Sequence, residues 1–140
     1  MKMVFLLMLL KEMEKYWSYM IKDALNNLSL DELDLLIVEN VGNLVCPAEF
    51  EIGEDIKITV LSTTEGNDKP LKYPLAFEKS GVVILNKIDL IPYTDFDKQK
   101  FYDDVRSIND QAIFFETSCK NDWGLDELCA WIESKVKTLS

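Results

Sequence analysis

The sequence predicts an α/β chain built on a parallel sheet flanked by helices. Three observations carry that expectation. Short apolar runs, several rich in β-branched side chains, end in turn residues, as strands buried on both faces do. Stretches with apolar residues at three-to-four spacing alternate with these runs. Small and polar residues gather just past the strands, at the rim where parallel sheets keep their ligand sites.

In chain order, Met1–Leu10 is one lysine followed by an apolar run. A spanning helix needs about 20 apolar residues, and KEMEK stands where small residues would mark signal cleavage. A buried strand or helix start is expected there, and no membrane partner. Lys11–Leu28 carries Met13, Tyr16, Trp17, Met20 and Ile21 at helical spacing. Asp34–Glu39 reads as a strand, ending at Asn40, Gly42 and Asn43, with Cys46 held by Pro47. Ile56–Ser62 reads as the next strand. Lys69–Phe77, broken by Pro70 and Pro74, reads as a short irregular helix at most. Val82–Asn86 is a third strand, and Asp95–Ile108 a helix with Asp95 as N-cap. Ile113–Thr117 is a fourth strand and Asp122–Leu139 the last helix, with Cys129 a small core residue on its apolar face.

Composition sets the bounds. The 140 residues are 48% hydrophobic, enough for one domain with a single core. Net charge is −10 and no basic stripe is present, so a nucleic-acid partner is not expected. The three cysteines, Cys46, Cys119 and Cys129, show no paired spacing and suit a reducing cytoplasm. Histidine is absent, which excludes Ser-His and Cys-His nucleophile pairs and imidazole metal ligands.

Two rim motifs carry chemistry. Asn86-Lys87-Ile88-Asp89 directly follows the third strand. A carboxylate such as Asp89 can accept two parallel hydrogen bonds from guanine N1–H and the 2-amino group. Adenine lacks both donors and would leave the acid unpaired. Asn86 can tie loops together and touch the base edge, and the Lys87 methylenes can cover the ring. Ser118-Cys119-Lys120 follows the fourth strand, where its backbone N–H groups could meet guanine O6. The tetrapeptide alone also fits helix starts and turns; its placement together with S-C-K points to a guanine pocket. Glu39 and Gly42, an acid at a strand end followed by glycine, match the layout by which GTPases sense a metal-bound γ-phosphate. The same stretch also reads as a buried strand with an ordinary polar loop.

ENVGNLVCPAEF (Glu39–Phe50), TEGNDKPLKYP (Thr64–Pro74), NKIDLIPY (Asn86–Tyr93) and S-C-K together resemble the HypB family of nickel-incorporation accessory GTPases. The resemblance covers roughly Met20–Trp131. It implies a partial P-loop NTPase-type (SIMIBI-like) sheet, and a cytoplasmic homodimer that uses GTP and Mg²⁺. The implied role is delivery of nickel to a [NiFe] hydrogenase precursor together with other maturation proteins, with urease the alternative target. The resemblance places Asn86, Lys87, Asp89, Ser118, Cys119 and Lys120 at the guanine, and Glu39 and Gly42 in the catalytic switch. Cys46 becomes a ligand of a Ni²⁺ or Zn²⁺ shared between protomers.

The departures shape the expectation further. None of the five glycines opens a G-K-[ST] phosphate loop; they are followed by Asn43, Glu54, Asn67, Val82 and Leu125. The family's Cys-His metal pair, due shortly before Met20, is replaced by KEMEKYWSY. The chain therefore reads as residues 20–140, a C-terminal part of the GTPase domain, behind a divergent segment 1–19, as a truncated gene product would. Met3–Leu10 is apolar enough to substitute for the missing strand beside Asp34–Glu39, but KEMEK cannot cradle phosphate. Hydrolysis of GTP is not expected. A non-catalytic dimerisation and metal-contact module, or a gene remnant, are the alternatives.

Overall fold

The structure is a computed structural model that describes residues 3–7, 23, 25–26, 29, 32–39, 44 and 53–139, with the backbone alone for 3–7 and 139. It is an α/β fold with parallel strands and flanking helices, divided into two compact units. One comprises Met1–Gly53 with Ser134–Ser140, the other Glu54–Glu133.

In the first unit, β1 (Met3–Leu7) pairs in parallel with β2 (Leu35–Glu39), Met3 opposite Leu35 and Leu7 opposite Glu39. The apolar N-terminal run thus forms the substitute strand its composition suggests. β2 is half-buried rather than buried on both faces, and Glu39 is exposed; among the described residues its ladder has two strands, each an edge. Most of Lys11–Leu28 lies outside the described residues, although Asp23 and Leu25 are helical.

The second unit is built on β4 (Val82–Asn86), with β3 (Ile58–Ser62) and β5 (Ile113–Thr117) parallel on either side. A strand with two neighbours and covered faces needs apolar side chains throughout; Val82, Val83 and Leu85 are fully buried and Ile84 nearly so. β3 begins two residues later than the sequence suggests, and its Ile58 and Val60 are exposed.

Two short helices, α1 (Lys69–Lys72) and α2 (Pro74–Glu78), replace the single irregular one. Each carries proline in its first turn, where the missing N–H costs nothing, and Tyr73 (φ −129, ψ 58) breaks the path between them. The Asn109 amide then gathers the carbonyls of Phe77, Glu78 and Ser80 at 3.0, 3.2 and 2.8 Å. That satisfies acceptors the short α2 helix cannot pair internally.

Helix α3 spans Lys98–Ile108, so its N-cap is Asp97 and not Asp95. Asp97 is extended (φ −89, ψ 99) and accepts from Lys100 N at 2.9 Å. Phe96, just before the cap, packs on Phe101 with ring centroids 5.6 Å apart. That staple fixes where the helix begins. Helix α4 spans Leu125–Leu139 rather than starting at Asp122. Asp122 and Gly124 hold left-handed φ values of 54 and 72, which no right-handed helix can include.

Alternation along β5 gives it helices on both faces. Phe114 meets Tyr102 of α3 edge-on at 4.8 Å, while Phe115 meets Trp131 of α4 at 5.7 Å. Cys129 is exposed, not core; Trp131 makes the contact with β5 instead. No helix of the described residues is long and apolar enough to cross a membrane.

Candidate functional site

The parallel register brings the last residues of three strands level. Ser62 pairs with Asn86, and Asn86 with Thr117. The loops that leave this rim carry all six base-contact candidates of the sequence: Asn86, Lys87, Asp89, Ser118, Cys119 and Lys120.

Asn86 acts as the internal tie. Its side-chain oxygen accepts from Lys87 N at 2.8 Å, from the Thr117 hydroxyl at 3.2 Å and from the Cys119 thiol at 3.8 Å. Because the Lys87 N–H can only donate, the oxygen faces inward and the amide NH₂ is left for an acceptor outside the loop. Lys87 adopts the left-handed region (φ 61, ψ 39). This reverses the chain, so that Asp89 comes back over the rim in the 3-10 turn Ile88–Tyr93.

Asp89 and Ser118 then meet. The Ser118 hydroxyl, fully buried, donates to Asp89 Oδ1 at 2.6 Å. Among the described residues no partner engages Oδ2. The buried hydroxyl, donating to one oxygen, holds the carboxylate in one orientation. The S-C-K loop is itself tightly closed. Ser118 and Trp123 form an antiparallel bridge, with bonds of 3.0 and 3.1 Å, and Asn121 N also donates to Ser118 O at 3.1 Å. Those bonds use up the amides of Ser118, Asn121 and Trp123. The amides of Cys119 and Lys120 take no acceptor among the described residues. Gly124 closes the loop against β5: a Cβ there would lie 1.9 Å from Glu116 O.

Beside this loop, Glu116 binds the Tyr102 hydroxyl at 2.5 Å and Lys98 Nζ at 3.1 Å. Burial alone would raise the Glu116 carboxyl. Tyr102 and Lys98 together outweigh it and hold the carboxyl below its usual range. Burial, helped by the Glu116 bond, pushes the Tyr102 phenol well up. The cluster joins α3 to β5 and stays out of the rim chemistry.

The other three site candidates belong to the first unit. Glu39 ends β2 in the first unit, exposed. Gly42 and Cys46 lie outside the described residues. Among the described residues, no group of three or more His, Cys, Asp or Glu is placed to hold a metal. Three rim residues escape a motif-based reading: Thr63, Thr117 and Gly124. Only Gly124 leaves a sequence signal, a glycine closing a D-W-G turn just before a helix.

Comparison with known proteins agrees with this architecture. The family model of the CobW/HypB/UreG nucleotide-binding domain matches residues 8–116. The hydrogenase maturation factor HypB of Escherichia coli K12 is 46% identical over 118 residues, which are 84% of this chain and 41% of that protein. That of Azotobacter vinelandii is 45% identical over 121 residues, 86% of this chain and 40% of that protein. The chain thus spans less than half the length of these relatives. Among solved structures, HypB from Helicobacter pylori in complex with nickel superposes with a TM-score of 0.82 at 34% identity, over 86% of this chain and 58% of that one. The hydrogenase maturation factor HypB from Archaeoglobus fulgidus gives 0.78 at 33%, over 83% and 61%.

Proposed function

Because the chain belongs to the CobW/HypB/UreG nucleotide-binding domain family, we propose that it recognises guanine nucleotides as a nickel-insertion accessory protein of hydrogenase maturation. The observation that carries this reading is the Ser118–Asp89 pair at 2.6 Å on the rim of β4 and β5. It presents a fixed carboxylate oxygen to guanine N1–H and the 2-amino group. The Asn86 amide and the Cys119 and Lys120 N–H groups complete a donor and acceptor pattern that adenine does not match. The HypB names of the relatives, and the nickel complex of one of them, support the maturation role.

In this reading Lys87 covers the base, Glu39 and Gly42 belong to the switch, and Cys46 supplies a thiolate to nickel or zinc at a homodimer interface in the cytoplasm. Residues 1–19 are a divergent segment and 20–140 the GTPase-type part. The partners are maturation proteins and a hydrogenase precursor.

The residues present do not fit a Mg²⁺–triphosphate site. No G-x-x-x-x-G-K-[ST] loop occurs in the sequence, and in phosphoryl transfer that loop supplies the lysine and the magnesium hydroxyl. No hydrolytic step is therefore assigned, and the role left to the chain is that of a base-binding, metal-contacting module. Competition of GTP, GDP and ATP against a fluorescent guanine nucleotide tests the reading, with phosphate release followed in parallel. Preference for both guanine nucleotides over ATP, with phosphate release no faster than in buffer, is the expected outcome. Equal displacement by ATP would refute guanine recognition, and turnover abolished by Asp89→Ala would refute the non-hydrolytic role.

A further inference from the structure

The rim turn that carries Asp89 is held from two sides. Thr117 at the end of β5 and Ser118 just past it hold Asn86 and Asp89. From the opposite side comes Thr63, the first residue past β3. It is 1% exposed and donates its hydroxyl to the Lys87 carbonyl at 2.8 Å.

Thr63 is itself fixed in place. A capping box closes the 3-10 turn Thr63–Glu65: Thr64 N donates to Ser62 Oγ at 3.4 Å, and Ser62 N to Glu65 Oε1 at 3.1 Å. The residue it grips needs holding, because Lys87 carries a Cβ and sits in the left-handed region. The Lys87 carbonyl also accepts from Leu90 N at 2.9 Å. The turn from Lys87 to Leu90 is thus closed on itself and pinned to β3 by one hydroxyl.

We propose that Thr63 is a positioning residue for base recognition: by pinning the left-handed turn at Lys87, it sets where the Asp89 carboxylate stands. The proposal rests on the guanine reading given above. Thr63 stands just before the TEGNDKPLKYP stretch, and the capping box that fixes it gives Thr64 and Glu65, at the start of that stretch, a task beyond marking resemblance. Thr63→Val keeps shape and removes the donor. The Lys87 carbonyl keeps its Leu90 bond, so the turn loosens without leaving a buried acceptor orphaned.

The test compares wild type, Thr63→Val and Thr63→Ser by two readouts. The first is competition of GDP, IDP and ADP against a fluorescent guanine nucleotide. IDP lacks the 2-amino group, so the GDP-to-IDP preference reports how well Asp89 is placed. Thr63→Val is expected to lower that preference by about fivefold or more, and Thr63→Ser to restore it to within about twofold. The second is amide exchange of Leu90 relative to Ile84 in the β4 core. In Thr63→Val, loss of protection is expected at Leu90 and not at Ile84.

An unchanged GDP-to-IDP preference in Thr63→Val overturns the positioning role, even if Leu90 loosens. Equal loss of protection at Leu90 and Ile84 overturns it too, since Thr63 would then support only general stability. A wild type that binds GDP and ADP equally defeats the guanine reading instead. Leu90 exchange then decides whether the pin exists: unchanged protection in Thr63→Val overturns it, and loss restored by Thr63→Ser retains it.

Discussion

Ser118 and Asp89, 29 residues apart in sequence, are joined by a hydroxyl–carboxylate hydrogen bond of 2.6 Å, with the serine fully buried. The bond orients an acid that would otherwise rotate freely at the rim. Hydrogen bonds to charged groups are worth about 1.5–3 kcal/mol. Ser118→Ala is therefore expected to weaken guanine-nucleotide binding by about tenfold or more while the chain still folds. Titration against a fluorescent guanine nucleotide, with a circular-dichroism check of folding, measures both. Unchanged affinity in a folded variant would show that the orientation of Asp89 does not matter.

Gly124→Ala should damage the same loop from its far end. The glycine has φ 72 and no room for a Cβ, which would meet Glu116 O at 1.9 Å. The left-handed conformation alone costs about 1–2 kcal/mol, and the clash adds to it. Urea unfolding is expected to show a loss of about 2 kcal/mol or more. A midpoint equal to wild type would mean that the loop adopts another path.

The Tyr102–Glu116–Lys98 cluster gives a pH prediction with a definite sign. Glu116 is held below its ordinary value of 4.5 in the folded chain. Such a group adds stability above the unfolded-state value and loses it as pH falls through the folded one. Stability should therefore drop between about pH 5 and 3, and Glu116→Gln should flatten that drop. Lys98 and Glu116 are partly exposed, so the difference is modest and screened by salt. Urea midpoints at pH 6, 4 and 3 for both proteins measure it, and parallel curves would contradict the assignment.

Metal binding is predicted to depend on Cys46. With no histidine in the chain, two thiolates from two protomers, with Glu49 or water, would form the site. Weak uptake of about one Ni²⁺ or Zn²⁺ per dimer is expected, and none in Cys46→Ala. Equilibrium dialysis on both proteins decides, and equal uptake would end the metal role of this loop.

Much of the sheet was legible in the sequence, because a short apolar run that ends in turn residues leaves a plain signature. Val82–Asn86 and Ile113–Thr117 coincide with the expected strands. The motif residues Asn86, Asp89 and Ser118 meet on one rim, since parallel register aligns the ends of β4 and β5. Helix starts were less legible, because they turn on tertiary contacts. Asp95 and Asp97 are equally good caps on paper, and the packing of Phe96 on Phe101 selects Asp97. Cys129 follows the apolar period of α4 yet is exposed; the period places a residue on a face, and the neighbouring element decides how much of that face is covered. Thr63 was illegible because its partner is the backbone carbonyl of Lys87, in the turn after β4, which no side-chain pattern records.

The central claim is that Asp89 reads the guanine edge, and exchanging its chemistry tests that most directly. Asp89→Asn replaces an acceptor by an amide whose NH₂ can face the 2-oxo group of xanthine. Binding of GDP and XDP to wild type and Asp89→Asn is to be measured by competition against a fluorescent guanine nucleotide for the former and a fluorescent xanthine nucleotide for the latter. The account predicts that wild type prefers GDP and that Asp89→Asn prefers XDP, a reversal of about a hundredfold or more in the ratio of affinities. A ratio that is the same in both proteins would contradict it.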